Sequence, residues 1–137
     1  MRIGTPSIAA FSLLSAALDV WDYADVNDVR ARSIELSELF IAEVEKRCQG
    51  VALASPRNAD QRGSHVSFEF EHGFACMQAL IAEKVIGDFR APNIMRFGIA
   101  PLFNDENDIL RAVSKLEDIL NNETWKEVRF QQRGLVT

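Results

Sequence analysis

Apolar and polar residues follow two different periods along the chain, and each change of period marks an element. From Pro6 to about Tyr23 apolar side chains are mixed with the small residues Ala9, Ala10, Ser12, Ser15, Ala16 and Ala17, which predicts a helix able to pack closely against a neighbour. Thr5 stands where it can cap that helix, with Pro6 at the first helical position, where a missing N–H costs nothing. A second helix is predicted from Asn27 to Arg47. Leu36, Phe40 and Val44 recur every four residues, Leu39 and Cys48 join their face, and Gly50 supplies the stop. VALAS (51–55) reads as a short strand and SPRNADQRG (55–63) as a polar loop. HVSFEF (65–70) alternates, with Val66, Phe68 and Phe70 on one side and His65, Ser67 and Glu69 on the other, the pattern of a half-buried strand. A third helix starts at Gly73, with Phe74, Met77, Leu80, Ile81 and the stem of Lys84 on one face. KVIGDF (84–89) reads as a short strand or turn, and IMRFGI (94–99) as a strand. Asn104 or Asp105 caps a last helix in which Ile109, Val113, Leu116 and Leu120 fall at helical spacing. From Trp125 onward no pattern is sustained, which predicts a loose end.

The order of elements predicts an α+β fold, a small and mainly antiparallel sheet with helices packed on one face. Within it, residues 1–25 form a helix of the kind that lies between domains, 26–124 the α+β domain and 125–137 a tail. No repeat or low-complexity segment interrupts this order. A length of 137 residues allows one domain with a real core. The net charge of -5 argues against nucleic acid and anionic membrane as partners. No apolar run approaches the roughly 20 residues of a membrane span. MRIGTPSIAAFSLLSAALDV (1–20) has an early arginine and an apolar middle, but it lacks a small-residue cleavage site and runs into a charged helix, so it is not read as a signal peptide. Cys48 and Cys76 make neither a disulfide framework nor a metal-site spacing, and reduced thiols in a cytoplasmic protein are expected.

The candidate chemistry centres on one residue. Arg96 lies in the middle of a predicted strand, on the side it shares with Ile94 and Gly98, whereas Met95, Phe97 and Ile99 take the other. Arginine is almost never buried without a partner. A glycine two residues away on the same side leaves space for a ligand, and the guanidinium is a planar fork matched to a carboxylate. From spacing alone two readings stand: a solvated arginine on an edge strand paired loosely with a glutamate, or an arginine that waits for an anion. Other candidates are weaker. His65 and His72 are seven apart with no third ligand at a metal spacing, and are read as surface residues. Ser64 and His65 are adjacent on a strand and so point to opposite faces. Cys76 reads as a packed helix residue. The acidic run Asp105-Glu106-Asn107-Asp108 suits a helix start and lacks the fuller calcium-loop pattern. Arg90 is expected to hold the loop leading to Arg96, or to assist anion binding.

GTPSI (4–8), DVRARSIELSELFI (28–41), ASPRNADQRGSHVSF (54–68), VIGDFRAPNIMRFGIAPLFN (85–104) and Trp125 together resemble the C-terminal part of the kynureninases, in order and with compatible spacing. The pairing of GDFRAP with RFGIAPLFN is the most specific piece. The resemblance implies the small C-terminal domain of a fold type I, class V pyridoxal-phosphate enzyme. It implies hydrolytic cleavage of kynurenine to anthranilate and alanine. It makes Arg96 the residue that binds the substrate α-carboxylate, and Thr5 the residue that touches the cofactor phosphate across a dimer interface. Thr5 can serve as cap and phosphate contact together.

The sequence departs from the family in one respect. Lys46, Lys84, Lys115 and Lys126 sit in helical or tail contexts, and none matches the family's Schiff-base lysine motif, which lies upstream of GTP in the large cofactor domain. The chain also opens almost directly on GTP and a helix. The expectation is therefore a chain that is inactive alone and does not bind pyridoxal phosphate stably. It would be a fragment of a longer enzyme, a truncated reading frame, or a small-domain remnant that associates with a partner. A homo-oligomer is expected, with a small amino acid as substrate of the complete enzyme. Two alternatives remain: the small domain of another class V enzyme, an aminotransferase or a cysteine desulfurase, or a non-catalytic binding or assembly module on the same fold. Neither Cys48 nor Cys76 lies on the mobile loop that a desulfurase needs.

Overall fold

A computed structural model describes residues 7–132. Its elements are α1 (Ile8–Leu18), α2 (Val26–Arg47), β1 (Ala52–Leu53), β2 (His65–Glu69), α3 (Gly73–Ala82), β3 (Asp88–Arg90), β4 (Ile94–Gly98), α4 (Glu106–Asn121) and α5 (Val128–Gln131), with single 3-10 turns between several of them. The four strands form one antiparallel sheet in the order β1-β2-β4-β3. The α+β architecture predicted from the sequence is the one observed. β4 is an interior strand, so the edge-strand reading of Arg96 does not hold.

The helices start and stop where the sequence supplies caps. The Asp25 side chain accepts the Asn27 N–H at 2.7 Å at the head of α2, and Lys46 and Arg47 occupy its last turn, where the helix dipole favours cations. Gly50 follows at φ +80°, the left-handed conformation that glycine takes without penalty. Asp105 and Asp108 cap α4 reciprocally, each side chain accepting the other's backbone N–H, at 2.9 and 3.2 Å. At the end of α3 the N–H of Val85 reaches the Leu80 carbonyl at 2.9 Å, with Lys84 at φ 67° in the left-handed position.

The core lies between one face of the sheet and the helices. Val66 and Phe68 of β2 and Met95 and Phe97 of β4 are buried there, and α2 and α3 pack on them while α4 packs across both helices. Phe40 of α2 meets Phe68 and Phe97 edge-on, with ring centroids 5.5 and 5.2 Å apart. Arg62, whose side chain is only 2% exposed, pins the 55–63 loop to α2. It donates to the carbonyls of Pro56 and Arg57 at 2.8 and 3.0 Å, to the Ser37 hydroxyl at 3.1 Å, and to the Glu38 carboxylate.

Several elements differ from the sequence reading. β1 is shorter, because the N–H groups of Ala54 and Ser55 both turn onto the Ser67 carbonyl and end the ladder. On α3, Ile81 is exposed, as is Lys84 in the turn beyond it, whereas Ala75, Cys76 and Ala79 are buried. The helix is covered on two sides, and its small residues let α4 and the C-terminal turns approach. The segment after α4 is folded as far as it is described: Trp125 and Phe130 are buried, and the turn and α5 that carry them pack on α3. Ser7 caps α1 by accepting the Ala10 N–H at 3.3 Å, and the helix ends at Leu18, where a 3-10 turn continues to Asp22. The start predicted at Thr5 and Pro6 lies outside the described residues. No residue of α1 is buried, and Ile8, Phe11, Leu13, Leu14 and Leu18 are all exposed. Among the described residues no helix is long and apolar enough to cross a membrane.

Candidate functional site

The strand register decides what stands on the open face of the sheet. Residues paired across antiparallel strands share a face. His65 of β2 is opposite Gly98, Ser67 is opposite Arg96, and Arg96 is in turn opposite Asp88 of β3. One step along, Glu69, Ile94 and Arg90 form the next row. Arg96 therefore projects from the middle of the sheet, away from the core and about a third exposed, at 35%.

Its guanidinium is held from one side. Nη2 donates to Oδ2 of Asp88, and the same oxygen lies 3.2 Å from Nη2 of Arg90. The hydrogen bond from Arg96, followed by the charges of Arg90 and Arg96, keeps the Asp88 carboxyl below its ordinary range. No other acceptor among the described residues bonds to Arg96, so its remaining N–H groups are available to a ligand. Two guanidinium groups share one carboxylate, which leaves this cluster one positive charge in excess.

Two glycines shape the space around it. A Cβ on Gly98 would meet nothing within 4 Å, so the surface beside Arg96 is open, as the sequence spacing suggested. At Gly87 a Cβ would come within 2.7 Å of both the Arg96 carbonyl oxygen and the Met77 methyl. Only glycine lets the chain entering β3 lie this close to β4. The result is a shallow cavity of about 450 Å³ lined by His65, Ile86, Gly87, Asp88, Arg96 and Gly98. This lining offers an arginine fork, a histidine and a carboxylate, and no lysine amine.

The other candidates are placed elsewhere. His72 stacks on Trp125, ring centroids 4.0 Å apart, and no group of three metal-ligating side chains occurs among the described residues. The Ser64 hydroxyl pairs with that of Ser33 at 2.8 Å. Cys48 and Cys76 are free and buried, and burial pushes their thiols up to about 11 and about 12, out of the reactive range. Asp105 is a helix cap. Arg90 joins the site through Asp88. Thr5 lies outside the described residues. Asp88 is the residue that sequence reasoning missed. It alternates with Arg90 on one face of a strand that begins inside KVIGDF, but a run read as strand or turn gave no face to assign.

Residues 29–116 match the family model described as the kynureninase C-terminal domain. Over 136 residues, 98% of the chain, it is 45% identical to kynureninases of Burkholderia mallei (strain SAVP1) and Burkholderia pseudomallei (strain K96243). Over the same length it is 43% identical to that of Pseudomonas fluorescens. In each case the match covers 33% of the relative, so the chain spans about a third of the length of the curated relatives it matches. With the α+β fold and a family match that extends from α2 into α4, the chain belongs to the kynureninase family, as a match to its C-terminal domain.

Proposed function

We propose that this chain forms the carboxylate-binding part of a kynureninase-type hydrolase, one that takes L-kynurenine and water to anthranilate and L-alanine, and that Arg96 grips the substrate α-carboxylate. The observation that carries this reading is the state of Arg96: projecting from an interior strand, tied through one nitrogen to Asp88, and otherwise open to the groove beside Gly98. A carboxylate at that edge would complete the fork with charge-assisted hydrogen bonds. The groove does not fit pyridoxal phosphate, because its lining has no amine to carry the cofactor. In this reading that group supplies electron-sink chemistry from the part of kynureninase beyond this chain, with Thr5 at its phosphate. A desulfurase is the poorer reading, since both thiols are buried within the core.

The reading includes a homo-oligomer in the cytoplasm. The apolar surface of α1, with Ile8 83% and Leu13 73% exposed, is where the large domain of a complete enzyme or a second copy would pack. A dimer or larger is expected of this chain by sedimentation, and a clean monomer at high micromolar concentration would count against it.

The decisive test is Arg96→Lys in a kynureninase carrying this segment. The charge is kept and the two-point grip is lost, a change worth about 2–4 kcal/mol in transition-state binding, or roughly 30- to 1,000-fold in kcat/KM. Analogues without the α-carboxylate should be affected little. Equal weakening of both kinds of ligand, or of neither, would make Arg96 a structural residue.

A further inference from the structure

We propose that Asp88 is the positioning residue of this site: by holding one terminal nitrogen of Arg96 it sets the fork over the groove in advance of the ligand, while Arg90, on the same carboxylate oxygen, keeps the cluster net positive and so suited to a monoanionic carboxylate. The inference rests on Arg96 being the carboxylate clamp.

The geometry supports this in three steps. An arginine on an open sheet face has many rotamers, and a ligand that must select one of them binds more weakly by the cost of that ordering. Asp88 is directly opposite Arg96 in the β3–β4 register and bonds to Nη2 alone, so it orders the side chain without occupying the rest of its donors. Gly87 makes the placement possible, since any side chain there would push the chain entering β3 away from the Arg96 backbone.

Charge completes the argument. With Arg96 alone, Asp88 would form a neutral pair and offer an anion little net attraction. Arg90, 3.2 Å from the shared Oδ2, restores one positive charge. Glu69, on the same face, is separated from Arg90 by Ile94 and is engaged with the Asn93 side-chain amide at 2.7 Å. His65 is the other titratable group lining the cavity.

The test uses the 137-residue chain, with benzoate as the probe and the side-chain Nε–Hε resonance of Arg96 as the reporter, at low salt because the site is open to solvent. Nε relaxation should show Arg96 ordered in the wild type and mobile in Asp88→Asn, with an unchanged circular dichroism spectrum. Because Asp88→Asn also adds a net positive charge that draws benzoate, affinity is read in Asp88→Asn/Arg90→Gln, which keeps one positive charge and should bind benzoate roughly tenfold more weakly than wild type. Asp88→Glu, which keeps the charge, should restore order and most of the affinity, and it tests the same point should the asparagine variant fail to fold. Arg90→Gln should weaken benzoate while leaving Arg96 ordered. An Arg96 that stays ordered in Asp88→Asn, with benzoate bound as tightly by the charge-matched double variant as by wild type, would overturn the inference and leave the clamp reading intact. A wild-type Arg96 that ignores benzoate would sink the clamp reading, and the role of Asp88 in readying the site for a ligand with it.

Discussion

On one side of the sheet Val66, Phe68, Met95 and Phe97 are buried against α2 and α3, and on the other side, one residue along the same strands, stand His65, Arg96 and Gly98. The two sets alternate in sequence and share a backbone, yet they do different work. The inner face removes apolar area from water and fixes the register, because a slip of one residue would turn Phe68 and Phe97 out to solvent. The outer face is freed from that task, so an arginine and its carboxylate can stand there at little cost to folding. Substitutions on the two faces should therefore separate stability from ligand binding.

The largest effect is expected on the inner face. Phe68 is fully buried and meets Phe40 and Phe97 edge-on, so Phe68→Ala should cost about 3–5 kcal/mol, read as a lower denaturation midpoint in urea. A loss below about 1 kcal/mol would mean that the inner face is not a closely packed layer. Arg62 sharpens the comparison, because it is a charged side chain that behaves like core. Arg62→Met removes bonds to two carbonyls, a hydroxyl and a carboxylate, and should destabilise by about 2–3 kcal/mol in the same measurement.

Much of this division was legible in the sequence. Alternation in HVSFEF and IMRFGI placed Phe68 inside and Arg96 outside, and both positions are as predicted. The fourfold spacing of α2 and the spacing in α4 likewise found their buried faces, since each presents one stripe to the core. α3 was harder. It is covered by the sheet on one side and by α4 and α5 on another, so its buried residues do not form a single stripe. The C-terminal turns were illegible for a related reason: Trp125 and Phe130 act as isolated anchors, and two aromatics without a period give no pattern. Asp88 was hidden because its meaning comes from a cross-strand partner eight residues away, and register is not written in one short strand. The family resemblance singled out Arg96 but was silent on what holds it.

A smaller effect is expected at the cap that orients α4 over both helices. Asp105→Ala leaves the Asp108 N–H without its acceptor and should cost about 1 kcal/mol in thermal or urea unfolding. Because α4 packs chiefly on α2 and α3, this loss should leave the Arg96 Nε resonance unmoved. A shifted resonance would show that the two faces are coupled through the helical layer.

The smallest effect is expected on the open face itself, where it tests the comparison most directly. Arg96→Ala should change folding stability by no more than about 0.5 kcal/mol, since a solvent-facing ion pair contributes little. What contribution there is should follow the protonation of Asp88. Its folded pKa lies below the ordinary 3.8, so the carboxylate binds protons less readily folded than unfolded. Stability from the pair is then fully present above the unfolded value and is lost as pH falls through the folded one. The difference in unfolding midpoint between wild type and Asp88→Asn should be constant near neutrality and shrink as pH drops below about 4. A difference that instead grew on acidification would mean that Asp88 is held protonated in the fold. A difference of several kcal/mol at neutral pH would mean that the outer face carries the fold as the inner one does.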